Sequence, residues 1–311
     1  MMAGSGAMGC RYGAALFEAG HEVVLLDGWA EHVAAINSGG LRVTDESGTR
    51  VVPVPALPFP APADPADLVI VFTKATATAA VAAAAAGAVG PATLLLTLQN
   101  GLGNVEALSA HAPADRLLAG VTMLGTELAG PGRITALGSG ETLFGPVIPA
   151  GGAAANLVGA VLAGAGLVTH VTDDPFRAIW AKVAFNCVMN TSCAIASIPV
   201  SALGRYDEFD ALAASVLDEI EAVARAEGVT VDTAAALRLM KAQFDPAASG
   251  SHLASMLQDL MNGRPTEIAH LNGAIAARAA CRGIDAPVNT FIARIVGLLE
   301  ATWSRRVNSL H

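Results

Sequence analysis

Three stretches of this 311-residue chain carry residue types at spacings suited to chemistry. The first is Gly4-Ser5-Gly6-Ala7-Met8-Gly9, a G-x-G-x-x-G run that opens a helical segment. Free amide N–H groups and the positive end of a helix dipole suit a pyrophosphate there. Asp27 stands 23 residues after Gly4, at the end of the next apolar run. A carboxylate at that place accepts hydrogen bonds from the hydroxyls of an adenosine ribose. The alternative is a glycine-rich turn beside an ordinary surface Asp. Lys74 closes the run Asp67–Thr73, and Asn100 closes Thr93–Leu98. The carboxyl ends of neighbouring parallel strands border a ligand crevice, so both side chains are expected near a bound dinucleotide, although a turn or helix-cap role fits each position too. Lysine occurs only at 74, 182 and 241, so 15 of the 18 basic residues are Arg. Lys releases a proton at useful pH and Arg does not, which draws attention to the few lysines the chain keeps.

The second stretch is Trp180-Ala-Lys182-Val-Ala-Phe-Asn186-Cys-Val-Met-Asn190. Lys182, Asn186 and Asn190 recur every four residues and therefore share one helix face. Burying such a stripe without partners costs roughly 1–3 kcal/mol per polar group, so the face is expected to meet polar ligand atoms or a solvent-filled cleft. A solvated outer face competes with that reading. The third stretch runs from Ser255 through Gln258 and Pro265 to Glu267. Ser255 with Gln258 has the form of a capping box, and Glu267 just after Pro265 suits the first turn of a helix. The residues alone leave structural and chemical roles level for Ser255 and Glu267.

The elements that must position these groups follow from periodicity. Short apolar runs at His21–Asp27, Asp67–Thr73, Thr93–Leu98, Leu117–Leu124 and Leu167–Thr172 alternate with helical segments at Gly9–Ala19, Ala30–Ser38, Thr76–Val89, Asn104–His111 and Ala153–Ala163. Such alternation marks a doubly wound parallel sheet covered on both faces. Its first strand is reduced to Met1–Ala3. Leu41–Asp45 with Thr49–Val54, and Arg133–Leu137 with Glu141–Phe144, are expected as hairpins, and Pro53–Pro65 as a surface connection. After Asp173 the pattern turns helical, at about 174–198, 208–227, 233–244, 255–261, 265–281 and 288–304. The expected organisation is α/β, with a dinucleotide-binding domain over 1–172 and an all-helical substrate and catalytic domain over 173–311.

Composition removes several classes of function. Lys+Arg 18 against Asp+Glu 27 gives a net charge of −9, which disfavours nucleic acid and anionic membranes as partners. Hydrophobic residues reach 53%, yet the long uncharged stretches are broken by Gly, Pro and Asn, and no basic leader with an apolar core opens the chain. Cys10, Cys187, Cys193 and Cys281 show no paired spacing, so neither a metal site nor a disulfide framework is expected and the cytoplasm is the expected compartment.

Taken together, the motifs Gly4-x-Gly-x-x-Gly9, Phe72-Thr-Lys74-Ala, Gln99-Asn100-Gly-Leu-Gly, Trp180-x-Lys182-x-x-x-Asn186-Cys-x-x-Asn190 and Ser255-Met-Leu-Gln-Asp…Gly263-Arg-Pro-Thr-Glu267-Ile resemble those of the ketopantoate reductases (2-dehydropantoate 2-reductases), in the 6-phosphogluconate-dehydrogenase-like group. The similarity extends from Gly4 to about Trp303. It implies a Rossmann-type N-terminal sheet, an α-helical C-terminal domain and reduction of a 2-oxo acid with hydride from NADPH or NADH. It implies Lys182 as the general acid and Glu267 as the group orienting substrate and lysine. Asn100, Asn186, Asn190 and Ser255 would hold the substrate, with Lys74 and Asn100 also near the cofactor. A homodimer is compatible with this reading. The resemblance points to NADPH, whereas Asp27, followed by Gly28 and Trp29 with no adjacent cation, favours NADH. A related D-2-hydroxyacid dehydrogenase and a non-catalytic dinucleotide-binding protein are the alternatives.

Overall fold

The computed structural model describes residues 1–62, 64–245 and 253–305. They form two compact units, one of Met1–Gln99 with Gly103–Ala178, the other of Asn100–Leu102 with the chain from Ile179 onward.

The first unit is built on an eight-stranded sheet of order β12-β11-β8-β7-β6-β1-β2-β5. Its strands are β1 (Met2–Ala3), β2 (Leu25–Asp27), β5 (Ala56–Pro58), β6 (Leu68–Val71), β7 (Leu94–Thr97), β8 (Leu117–Thr122), β11 (Thr142–Pro146) and β12 (Thr169–Val171). All neighbours are parallel except β8 and β11. β1 is only two residues long but central, pairing with β2 on one side and β6 on the other. Helices α1 (Ala7–Glu18), α2 (Ala30–Gly39), α3 (Thr78–Ala84), α4 (Asn104–Leu108) and α5 (Gly152–Gly164) connect the strands. The alternation read from the sequence is thus a Rossmann-like sheet.

Two segments of the first unit differ from the expectation. Arg133–Leu137 and Glu141–Phe144 do not pair with each other. The former is β10, which joins β3 (Leu41–Asp45), β4 (Gly48–Val52) and β9 (Gly125–Gly130) in a separate four-stranded sheet of order β4-β3-β10-β9, while β11 lies in the large sheet. Period-2 patterning marks a strand without naming its partner. The proline-rich connection 53–65, of which residue 63 lies outside the described residues, contains edge strand β5. An edge strand tolerates prolines because only one side of it must donate to the ladder.

The second unit is helical: most of α6 (Pro175–Ala196), then α7 (Val200–Leu203), α8 (Phe209–Ala226), α9 (Thr233–Ala242), α10 (Ser255–Met261), α11 (Asn272–Arg282) and α12 (Pro287–Thr302). The segment 265–281 is not one helix; a 3-10 turn at Ile268–His270 precedes α11. Among the described residues no helix is long and apolar enough to cross a membrane. α6 buries Trp180, Val183, Ala184, Cys187, Val188 and Met189. Its backbone is also held by side chains. Asn272 Nδ2 donates to the Cys187 carbonyl (3.2 Å) and to Asn289 Oδ1 (3.0 Å), and Asn289 Nδ2 donates to the Val216 carbonyl (3.2 Å) and Glu219 (2.8 Å). Both asparagines have 0% exposure, so their amides depend on these bonds. Asn272→Ala should therefore cost about 1–3 kcal/mol in urea unfolding, where a loose surface pair would cost under about 0.5.

Candidate active site

The four-residue spacing along α6 places Lys182, Asn186 and Asn190 on one face, over roughly 12 Å of helix at 1.5 Å rise per residue. This is not a solvated outer face. Asn186 is 7% exposed, and Lys182 and Asn190 are half-buried. The Asn186 carboxamide forms no hydrogen bond with the described residues, which leaves its donors and acceptor for a ligand. Asn190 Nδ2 donates to Ser255 Oγ at 3.3 Å. The capping box expected at Ser255 does not form: α10 is capped at Ala254 without a side-chain bond, and Gln258 Nε2 donates instead to the Leu253 carbonyl (2.8 Å). The exposed hydroxyl of Ser255 faces Asn190 rather than its own helix.

Glu267 occupies the N-cap position of the 3-10 turn, yet its side chain caps nothing. It is 8% exposed, and its Oε2 accepts from Asn100 Nδ2 at 3.3 Å. The loop bearing Asn100 is fixed by main-chain and ring bonds. Leu102 N–H donates to the His270 carbonyl (2.8 Å), and His270 Nδ1–H donates to the Leu102 carbonyl (3.0 Å). Gly101 has φ +87°, and a Cβ there would sit 2.6 Å from the His270 carbonyl oxygen, so this docking requires glycine. Burial lowers the Lys182 ammonium pKa to about 8, against the opposing pull of the Glu267 carboxylate. A lysine at that value exchanges its proton near neutral pH, and the carboxylate keeps it charged. The Thr266 N–H donates to Glu300 Oε1 at 2.6 Å, which anchors the turn next to Glu267. Glu300 and Asn272 carry no local sequence signal, because each acts through a partner far along the chain.

In the first unit, Gly4-Ser5-Gly6-Ala7-Met8-Gly9 links β1 to α1. Gly4 has φ +92° and a Cβ there would lie 2.7 Å from the Thr73 nitrogen; at Gly9 it would lie 2.1 Å from the Gly4 oxygen. At Gly6 it would meet nothing within 4 Å. Two glycines therefore close the turn, and the third leaves open space over the start of α1, whose first turn carries no acidic residue. This geometry fits a dinucleotide pyrophosphate. Asp27 ends β2, its Oδ2 accepting from Ser5 N–H and its Oδ1 from Trp29 N–H, both at 2.9 Å. Each oxygen keeps a lone pair for a ribose hydroxyl. Lys74 lies just past β6 at the head of a 3-10 turn and is exposed, not buried. Arg11 donates to the carbonyls of Gly125, Leu137 and Gly138, so its guanidinium is engaged at the β9–β10 sheet.

Two family models match the chain, "Ketopantoate reductase PanE/ApbA" over residues 1–148 and its C-terminal counterpart over residues 175–300. The chain belongs to the ketopantoate reductase family. Relatives called 2-dehydropantoate 2-reductase include one from Halobacterium salinarum, 35% identical over 96% of this chain and 97% of its own, and one from Lactococcus lactis, 31% identical over 95% and 96%. Among solved structures, a ternary complex of D-mandelate dehydrogenase with NADH and anilino(oxo)acetate aligns with a TM-score of 0.94 at 32% identity, covering 97% of this chain and 98% of the other.

Two measurements test this geometry. A proton donor at Lys182 works only when protonated, so in that role kcat/KM for reduction should fall as pH rises through about 8. Since the Glu267 charge raises that pKa, Glu267→Gln should move the alkaline limb to lower pH; a capping role would leave the limb in place and lower only stability. Separately, Gly6→Ala should leave Tm within about 2 °C while weakening dinucleotide binding more than about tenfold, whereas Gly9→Ala should cost about 1–3 kcal/mol of stability.

Proposed function

We propose that the protein reduces 2-dehydropantoate to pantoate, with the dinucleotide held by the first unit and the substrate by polar side chains of the second. The observation that carries this reading is a half-buried lysine whose ammonium pKa is lowered to about 8 in the company of Glu267, on the helix face that also bears Asn186 and Asn190. The reduced nicotinamide, when bound, supplies the hydride. Lys182 Nζ binds the keto oxygen, stabilises the negative charge that grows there more than it stabilises the neutral ketone, and delivers its proton to that oxygen. Solvent then reprotonates the amine. Glu267 keeps Lys182 charged and oriented, and Asn100 holds the Glu267 carboxylate through its hydrogen bond. Asn186, Asn190 and Ser255 offer amide and hydroxyl groups matched to the substrate's carboxylate and terminal hydroxyl.

Lys74, exposed at the carboxyl end of β6, is assigned to cofactor binding in this scheme. Asp27 binds the adenosine ribose and favours NADH. Against the 2′-phosphate of NADPH, like charges at about 5 Å in an effective dielectric near 40 cost roughly 1.5–3 kcal/mol, or about ten- to a hundredfold in affinity. The complex of D-mandelate dehydrogenase with NADH supports that choice by similarity. The four cysteines are free, and the net charge is −9, in keeping with a cytoplasmic enzyme acting on a small molecule without nucleic acid.

Lys182→Ala should lower kcat by roughly 10²–10⁴ while leaving dinucleotide affinity nearly intact. Assays with ketopantoate and a panel of other 2-oxo acids, aryl ones included, should show the highest kcat/KM for ketopantoate; a clear preference for an aryl oxo acid would redirect the reading to a D-2-hydroxyacid dehydrogenase. Wild type should use NADH at least as well as NADPH, and Asp27→Asn, which retains an acceptor for Ser5, should shift the ratio toward NADPH by about ten- to a hundredfold. A strong NADPH preference unchanged by the substitution would remove Asp27 as the selector.

A further inference from the structure

His32 lies on α2 and is 1% exposed, with polar partners from separate elements. Gly132 N–H, in the turn between β9 and β10, donates to His32 Nδ1 at 3.0 Å. An Nδ1 that accepts carries no proton, so the ring proton sits on Nε2, which therefore donates to the Ser5 carbonyl 2.9 Å away. Cys10 Sγ lies 3.0 Å from the same carbonyl, and burial together with the nearby Asp27 charge raises its pKa and keeps it a thiol donor. The other polar groups of Ser5 are also engaged: its N–H donates to Asp27, and its hydroxyl donates to the Leu26 carbonyl at 3.0 Å. The Trp29 ring stacks on His32 with centroids 5.5 Å apart and planes 9° from parallel, covering one face of the imidazole.

The consequence concerns one peptide plane. The Ser5 carbonyl and the Gly6 N–H belong to a single trans peptide unit, so they point in opposite directions. A carbonyl drawn toward His32 and Cys10 aims the Gly6 N–H the other way, at a residue where an added Cβ would meet nothing within 4 Å. We propose that His32 is a positioning residue for dinucleotide binding: by donating to the Ser5 carbonyl it locks the Ser5–Gly6 peptide in the orientation that presents the Gly6 amide to the pyrophosphate. His32 touches neither cofactor nor substrate and acts through Ser5. The inference rests on the reading of this loop as the dinucleotide site, and it adds a residue outside the glycine motif that sets its affinity.

The test separates the two bonds of the imidazole. The Asn amide reaches about as far as Nδ1 and keeps the acceptor for Gly132, whereas the Gln amide reaches about as far as Nε2 and keeps the donor for Ser5. Calorimetric titration of full-length His32→Asn and His32→Gln with NADH, alongside unliganded Tm and kcat at saturating NADH, gives three separate readouts. His32→Asn should raise the Kd for NADH about tenfold or more, the loss expected for one oriented hydrogen bond, with kcat within about threefold of wild type. His32→Gln should bind within about threefold of wild type. Each variant loses one bond, so a purely structural role would lower both Tm values and leave both Kd values alike. Equal Kd values in the two variants would overturn the inference while leaving the dinucleotide reading intact. Failure of the wild type to bind either NADH or NADPH would overturn both.

Discussion

In the second unit a half-buried ammonium, that of Lys182, sits within the field of the Glu267 carboxylate, and the surrounding elements fix where each is placed. Burial lowers the Lys182 pKa to about 8, and Glu267 opposes the fall. Without the carboxylate, desolvation would favour the neutral amine; without the burial, the lysine would hold its proton too firmly to give it up near neutral pH. Both conditions require fixed positions on elements distant in sequence. α6 is held through the Cys187 carbonyl by Asn272, and the turn bearing Glu267 is held at Thr266 by Glu300 and at Glu267 itself by Asn100. Asn272, Glu300 and Asn100 thus hold the helix and the turn that carry the lysine and the carboxylate.

A second constraint operates in the first unit, where a loop must offer its amides to a ligand and still be rigid. The chain meets it by saturating one residue. All of the polar groups of Ser5 are engaged, by Asp27, Leu26, Cys10 and His32. Gly4 and Gly9 permit the close turn, and Gly6 leaves the space above it open. Asp27 takes part in this scaffold by accepting from Ser5 and Trp29, so its place at the end of β2 has a structural reason besides the ribose recognition proposed for it.

Much of this was legible in the sequence, for reasons that separate local from distant information. The glycine run and the i, i+4, i+8 stripe encode geometry within a few residues, and both appear where periodicity puts them. Two-residue β1 is legible only because the glycine motif and the parallel pattern demand a strand before it. The partner of Arg133–Leu137 was not legible, since alternation defines a face but not a neighbour, and the strand pairs with β9 and β3 rather than with 141–144. For Ser255 and Glu267 the residue types fit a helix cap as well as a site. In the structure neither side chain caps a helix, and Ser255 instead accepts from Asn190. His32 gives no signal because its ring bonds join residues as far apart as Ser5 and Gly132.

The low lysine content makes the protonation of Lys182 directly measurable. With lysines only at 74, 182 and 241, selectively labelled side-chain amines give three signals in an NMR pH titration, and Lys182→Arg assigns the relevant one. This signal should titrate near pH 8, and in Glu267→Gln its midpoint should fall further, because the carboxylate raises it in the intact protein. A Lys182 midpoint that stays above about 10, at the ordinary lysine value, and does not move when Glu267 is neutralised would show that neither burial nor Glu267 sets the charge of this lysine.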